Sequence, residues 1–527
     1  MAEQNHSGEQ VVNPWLIAFV VSMATFMEVM DTSIANVALR YIAGSVGADQ
    51  SESTWVLTSY LVSNAIVVPM SGWFAAVLGR KRFYMICVFI FTISSFLCGI
   101  APSLGILLTC RIIQGIGGGG LAPCEQAILA DTFPPSRRGM AFAAYGVAVV
   151  VAPALGPALG GWITDTLSWR WIFFINLPVG IASLVLTHLL VKDSAGAKKE
   201  HEEATRGGIK VDYIGAALVA LGLGCLQVIL DKGQEDDWMG SNFILTFTIL
   251  SGIGIVGLVF WELYGTKNPI VDLPLLRNRS FLFTNIMMFS TLFILLSTTQ
   301  LLPQFVQRIL PYDATKAGLI LMPGGLVMMA MMPIAGVLVR KVQPKYLIFF
   351  GFIICALALF HLSFFMPDMS FGTIVMGRIF QTIGFAFLFV PIQTLAYSGL
   401  PPEKSSRASA LINVMRNLGG SVGISFGQTM ITRHSQAHQN MLVMHLTPTA
   451  VAFQTQLQHL GQRFTDFGAD SVGAGQKALA VVSQAVQRQA ETLSYLDVFM
   501  VLMCGSIVAA FMTLFLKRMD LSKASAH

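Results

Sequence analysis

The chain has 527 residues, 54% of them apolar and only 12% Asp, Glu, Lys or Arg, about half the charge density of an average soluble domain. That composition excludes an ordinary soluble enzyme. The net charge of +5, from 33 basic and 28 acidic residues, is too small and too dispersed for a nucleic-acid footprint. The charges instead sit between long apolar runs.

A membrane-spanning helix needs roughly 20 apolar residues to cross a core about 30 Å thick. In chain order that window predicts fourteen spans, at about 15–39, 53–77, 83–101, 104–130, 139–163, 171–191, 213–230, 243–263, 281–303, 317–339, 346–366, 371–398, 408–430 and 496–516. The opening MAEQNHSGEQ holds no Lys or Arg and no small-residue cleavage site follows, so the first helix is expected to stay. Seven cysteines (87, 98, 110, 124, 225, 355 and 504) all fall in apolar runs without C-x-x-C spacing, and neither disulfides nor thiolate metal sites are expected.

Fourteen spans put both termini on one side. That side carries 21 Lys and Arg (Arg80, Lys81, Arg82, Arg137, Arg138 and the 192–212, 267–279, 340–345, 404–407 and 517–523 groups), against nine opposite. The excess predicts cytoplasmic termini.

Around the fourth span the chain reads CRIIQGIGGGGLAPCEQAILADTFPPSRRG, and around the twelfth GRIFQTIGFAFLFVPIQTLAYSGLPPEKSS. A shift of 267 residues brings Arg111 onto Arg378, Gln114 onto Gln381, Gly117 onto Gly384 and Gln126 onto Gln393. Spans 1 to 6 then correspond to spans 9 to 14, leaving 7 and 8 as an extra pair. Two parallel repeats related by an axis along the membrane normal suit a transporter. The predicted units are a six-helix bundle at 1–191, a cytoplasmic linker at 192–212, the extra pair with its linker at 213–280, and a second six-helix bundle at 281–527 with a long periplasmic segment at 431–495.

Several motifs carry a family resemblance: MEVMDTSIANVAL (Met27 to Leu39), GWFAAVLGRKR (Gly72 to Arg82), RIIQGIG (Arg111 to Gly117), APALGPALGG (Ala152 to Gly161) and WRWIFFINLPVG (Trp169 to Gly180). Together they resemble the fourteen-helix drug:proton antiporters of the major facilitator superfamily, the EmrB/QacA type, most strongly over residues 15–190. The resemblance implies an all-α polytopic membrane protein in a bacterial cytoplasmic (inner) membrane, with the major facilitator fold in a 6+2+6 layout. It further implies proton-coupled multidrug efflux of amphipathic or lipophilic compounds without a cofactor, and a periplasmic adaptor and outer-membrane channel as partners. Gly72, Gly79, Arg80 and Arg82 match its loop 2–3 gating motif, and Gly156, Pro157, Gly160 and Gly161 its fifth-helix antiporter motif. Ala76 stands where the first motif usually has Asp, and Ala143 and Ala152 replace glycines of the second.

Charges within the bilayer cost roughly 2.5 to 3.5 kcal/mol each on insertion scales, and six lie well inside the spans: Glu28, Asp31, Arg111, Glu125, Arg378 and Arg416. Asp31 and Arg111 fall at matching depth, roughly 10–12 Å below the outer surface at 1.5 Å per residue, so an ion pair is expected. Glu28, three residues from Asp31, shares its face. Carboxylates brought together out of water hold protons more tightly and a nearby Arg loosens them, which suits proton exchange. A static tie between spans 1 and 4 is the other reading. Glu125, roughly 21 Å deeper than Arg111, is either a coupling carboxylate or a structural cap near the inner mouth. Arg378 faces Thr298 where the first repeat has Asp31, which concentrates the proton chemistry in the first half. Asn36, Gln114, Gln126, Arg378, Gln381, Asn413 and Arg416 form a candidate polar network, structural or gating. GPALGG serves close packing, or on the family reading a pivot that seals against proton leak.

GIGGGG satisfies G-x-G-x-x-G, but no strand precedes it, and no G-x-x-x-x-G-K-[ST] exists for ATP. His434, His438, His445 and His459 are read as exposed periplasmic histidines rather than a metal site. No clustered catalytic set points to an enzyme. The alternatives are a non-transporting receptor or scaffold, or an exporter of one specific metabolite.

Overall fold

A computed structural model describes residues 13–516 apart from 207–210, 267–268, 311, 367–368, 399, 448 and 469. Lys210, Lys267, Lys517, Arg518 and Lys523 of the orientation argument, and the Pro157 side chain, lie outside the described residues. No strand occurs among the described residues.

α1 (Pro14–Val46) starts where Asn13 accepts from the Trp15 N–H and Pro14 takes the first position, and ends on Gly47 in the left-handed region. α2 (Gln50–Leu78) follows a reciprocal capping box of Asp49 and Glu52. α3 (Arg80–Ile100) begins after Gly79, whose φ of 85° favours a residue without Cβ. GIGGGG then splits the fourth span into α4 (Leu104–Gly118) and α5 (Leu121–Thr132). These glycines are wedged between α2 and α3. A Cβ on Gly115 would sit 2.4 Å from the Tyr60 carbonyl, and one on Gly117 2.6 Å from the Phe91 nitrogen. Close packing, not phosphate binding, accounts for the run.

α6 (Arg138–Thr166) falls on the predicted fifth span, and α7 (Trp171–Phe174) with α8 (Asn176–Leu190) on the sixth. Within the 192–212 linker lies α9 (Ala195–Thr205), capped by Ser194. The extra pair is α10 (Tyr213–Val219) and α11 (Cys225–Lys232), joined through a π-helical turn, followed by α12 (Asn242–Phe260). Gly222 and Gly254 meet backbone to backbone, and Ser251 donates to the Gly222 carbonyl at 2.9 Å. Asp231 and Lys232 bond to Thr58 and Thr54 of α2. The last six predicted spans fall on α13 (Arg279–Arg308), α14 (Ala314–Lys341), α15 (Pro344–Leu362), α16 (Phe371–Ala396), α17 (Ser405–Met444) and α19 (Ser471–Met512), with α18 (Val451–Asp466) between the final two.

Among the described residues, twelve helices are long and apolar enough to cross a membrane. The predicted fifth and thirteenth spans fall on α6 and α17, outside that set. α6 has 29 residues, and its described apolar stretch covers 138–153, while α17 carries Arg407, Asn413, Arg416 and Asn417 along its inner half.

The long segment at 431–495 is largely helical, made of the outer end of α17, α18 and the first half of α19. At 40 residues, α17 runs roughly 60 Å, about twice the hydrocarbon thickness. Its membrane part packs intimately on α13: a Cβ on Gly419 or Gly423 would lie 2.3 Å from the carbonyl of Phe289 or Phe293. Gly423→Ala is therefore expected to lower the melting temperature in detergent by several degrees, through an overpacking cost of about 1–3 kcal/mol. Gly252→Ala, with nothing within 4 Å of the new atom, should leave it unchanged or slightly raised. Equal shifts in intrinsic-fluorescence melts of the two variants would contradict this packing.

Candidate functional site

Asp31 and Arg111 meet as expected, both buried. Arg111 Nη1 donates to Asp31 Oδ2 at 2.6 Å and to Gln114 Oε1 at 2.7 Å, and its Nε donates to the Val56 carbonyl at 3.0 Å. The other carboxylate oxygen accepts from Gln114 at 3.1 Å and from Asn176 at 2.7 Å. Tyr60 stacks under the guanidinium at 4.5 Å. Both oxygens of Asp31 are engaged, and the cluster ties α1, α4 and α8 together.

The second repeat reproduces this geometry with neutral partners. Arg378 Nη1 donates to Thr298 at 3.2 Å and to Gln381 Oε1 at 2.7 Å, and Nη2 donates to Thr299 at 2.6 Å. Thr298 occupies the place of Asp31.

Glu28 turns away from the Asp31 cluster toward α2. Its Oε1 accepts from Asn64 at 3.0 Å and from the Tyr60 hydroxyl at 3.3 Å, while Oε2 is buried without a hydrogen-bond partner among the described residues. Glu125 is also buried, seven residues before the end of α5 rather than at a mouth, and accepts from Ser22 of α1 through Oε1. Its Oε2 likewise has no hydrogen-bond partner among the described residues. Ser22 and Glu28 lie six residues apart, roughly 9 Å along one helix.

Arg416 enters from the other half. It donates to the Tyr145 hydroxyl of α6, and its charge acts on both Glu28 and Glu125. Its neighbour Asn417 donates to Asn64 at 3.2 Å, which in turn holds Glu28. One turn inward, Asn413 donates to Gln126 Oε1 at 2.9 Å and Ser409 to the Pro123 carbonyl at 2.6 Å.

At the basic end, Arg80 pairs with Asp131 and, at 2.6 Å, with Glu200 of α9, and donates to Ser406 of α17 at 2.6 Å. Ala76 is thus offset by carboxylates from α5 and from the linker. A Cβ on Gly72 would lie 2.9 Å from the Arg407 backbone, and one on Gly139 3.2 Å from the Gly336 carbonyl, so both glycines permit the halves to touch. Arg82 is exposed. Lys199 bonds Glu403 at 2.8 Å and holds that carboxyl below its usual range. Being exposed, this pair adds little stability.

In GPALGG, Gly156 abuts Ser33 and Gly160 abuts Ile34, whereas a Cβ on Gly161 meets nothing within 4 Å. Asn36 is exposed, apart from the buried network. A cavity of about 540 Å³ opens between α11 and the outer half of α17, lined by Leu230, Trp238, Phe426, Met430, Arg433 and His434 among others. Its volume and apolar walls suit a drug-sized ligand.

Asn64, Asn176, Tyr60, Tyr145, Ser22, Asp131 and Glu200 escaped the sequence reading. Asn176 was the most accessible of them, as an amide in the otherwise apolar IFFINLPVG run.

Residues 21–424 match the family model of the Major Facilitator Superfamily. The chain is 38% identical to the multidrug export protein EmrB of Haemophilus influenzae over 85% of this chain and 86% of that protein. It is 36% identical to EmrB of Escherichia coli over 93% and 92%. Among solved structures it superposes on the proton:xylose symporter XylE with a TM-score of 0.59 at 16% identity, covering 97% of this chain and 98% of that one. The chain therefore belongs to the major facilitator superfamily, as a multi-pass membrane protein.

Proposed function

We propose that the protein is a proton-coupled exporter of amphipathic or lipophilic compounds in the bacterial cytoplasmic membrane, with fourteen spans and both termini in the cytoplasm. The observation that carries this reading is Arg416, a half-buried cation of the second half that donates to Tyr145 of the first, with Glu28 and Glu125 within its electrostatic reach. The EmrB relatives are multidrug export proteins, and the apolar cavity supports a substrate of that character.

When Glu28 and Glu125 are ionised, their attraction for Arg416 holds the halves together in the interior, reinforcing the contacts that Gly72, Gly139 and Arg80 make at the basic, cytoplasmic end. Protonation removes that attraction, because a neutral carboxyl group exerts no net Coulomb pull on the guanidinium. The cytoplasmic side is then free to open. Protons arriving from outside bias the molecule inward-open, and their loss to the cytoplasm on drug binding biases it back. Each charge moving inward supplies about 2.3 kcal/mol per 100 mV. Asp31, saturated with donors, anchors the helices that carry this switch.

Glu28→Gln and Glu125→Gln are each expected to cut proton-driven ethidium transport in everted vesicles at least about tenfold, within the usual range of coupling free energies, while the folded protein persists. Asp31→Asn leaves Arg111 buried without its counter-ion, a loss of about 3–5 kcal/mol, and should lower melting temperature and transport together. Undiminished proton-dependent efflux in all three variants would overturn the assignment.

Arg416→Lys keeps the charge and should retain part of the transport, whereas Arg416→Gln should abolish substrate-induced proton movement measured with a pH-sensitive dye. Equal activity of the two variants would refute the electrostatic switch.

The exposed α18 and the outer ends of α17 and α19 are assigned to contact with a periplasmic adaptor, which would lead to an outer-membrane channel. Deleting 446–468 is expected to abolish copurification with such an adaptor while the remaining helices still fold. Retained copurification would place the contact elsewhere.

A further inference from the structure

His434 and His438 lie one turn apart on α17, and α19 brings Asp497 against both. His434 Nδ1 and His438 Nε2 are each 2.7 Å from the same oxygen, Asp497 Oδ2. The three donor atoms lie within 4.8 Å of one another. No acidic partner is visible beside these histidines in the sequence, because Asp497 follows them by 63 and 59 residues.

We propose that His434, His438 and Asp497 form a binding site for a divalent transition metal of the zinc class, clamping α17 to α19. Two imidazoles and one carboxylate favour zinc, cobalt, nickel or copper over magnesium or calcium, which prefer all-oxygen shells. Three protein ligands leave one position for water or another donor, as in open zinc sites. Ligand atoms around a tetrahedral ion at 2.0–2.1 Å stand roughly 3.3 Å apart, so the carboxylate withdraws by about 0.6 Å and the two imidazole nitrogens, at most 4.8 Å apart, adjust to that spacing. The i, i+4 spacing on a continuous helix fixes the two rings on one face without folding cost at the moment of binding. All three side chains are partly exposed, with His438 the least at 20%, which leaves a route for a hydrated ion.

The location gives the site a consequence. His434 also lines the cavity beside α11, so the clamp stiffens one wall of that cavity. It joins two helices of the same half and is separate from the carboxylates near Arg416, roughly 27 Å away along α17.

The test uses the full chain in detergent, purified through a histidine-free tag and stripped with a chelator. Titration with Co²⁺ is expected to develop the visible absorption of a tetrahedral-type site. Zn²⁺ should displace it at one ion per chain, and Zn²⁺ calorimetry should give a dissociation constant of micromolar or tighter. Zn²⁺ should also raise the melting temperature. His438→Gln and Asp497→Asn should each weaken binding at least about tenfold, while His445→Gln and His459→Gln should leave it unchanged. His434→Gln, at a more exposed position, provides a ligand deletion with little risk to folding. Absence of saturable Co²⁺ or Zn²⁺ binding in the wild-type chain, or binding that survives all three ligand substitutions, would overturn the proposal.

Discussion

An arginine taken out of water keeps its charge, and the arrangement of the inner helices follows from finding partners for three of them. Arg111 has a carboxylate, an amide oxygen and a backbone carbonyl as partners. Arg378 has only neutral oxygens from Thr298, Thr299 and Gln381. Arg416 has a phenol across the gap between halves and two carboxylates within electrostatic reach. Removing one partner of a buried pair strands the other charge, so each arrangement constrains the helices that supply it.

These three solutions differ in how readily they can change. In the Asp31 cluster both carboxylate oxygens are occupied, and moving α1 relative to α4 breaks several bonds at once. The Arg378 cluster has the same spacing without an acid, so nothing in it titrates near neutrality. Only Arg416 spans helices from both halves while facing acids that retain an unpartnered oxygen. The repeat thus supplies two matched frames, and a few side chains give one of them a carboxylate where the other has a hydroxyl.

The fold was largely legible because membrane helices announce themselves by length and apolarity, and because the Arg111 and Arg378 motifs repeat at one offset. The Asp31 to Arg111 pair was legible from depth alone. Depth says nothing about azimuth, however, and this explains what was missed. Glu28 shares a helix face with Asp31 by spacing, yet a modest rotation sends it to Asn64 and Tyr60 instead. Polar partners such as Tyr145 and Ser22 are unremarkable in a one-dimensional reading and acquire meaning only when helices distant in sequence are juxtaposed. The same limit hid Glu200, which reaches Arg80 from what reads as a polar linker, and Asp497, which reaches two histidines from the next span.

The unbroken length of α17 has a mechanical side. From Arg416 to Met444 the helix runs 28 residues, roughly 42 Å, with its lower part seated on α13 through glycine contacts and its upper part standing clear of the hydrocarbon. A tilt of about 10° at the level of Arg416 would sweep the far tip through roughly 7 Å at that arm length. At that arm length, a small adjustment beside Arg416 would be magnified into a displacement many times larger at the far tip.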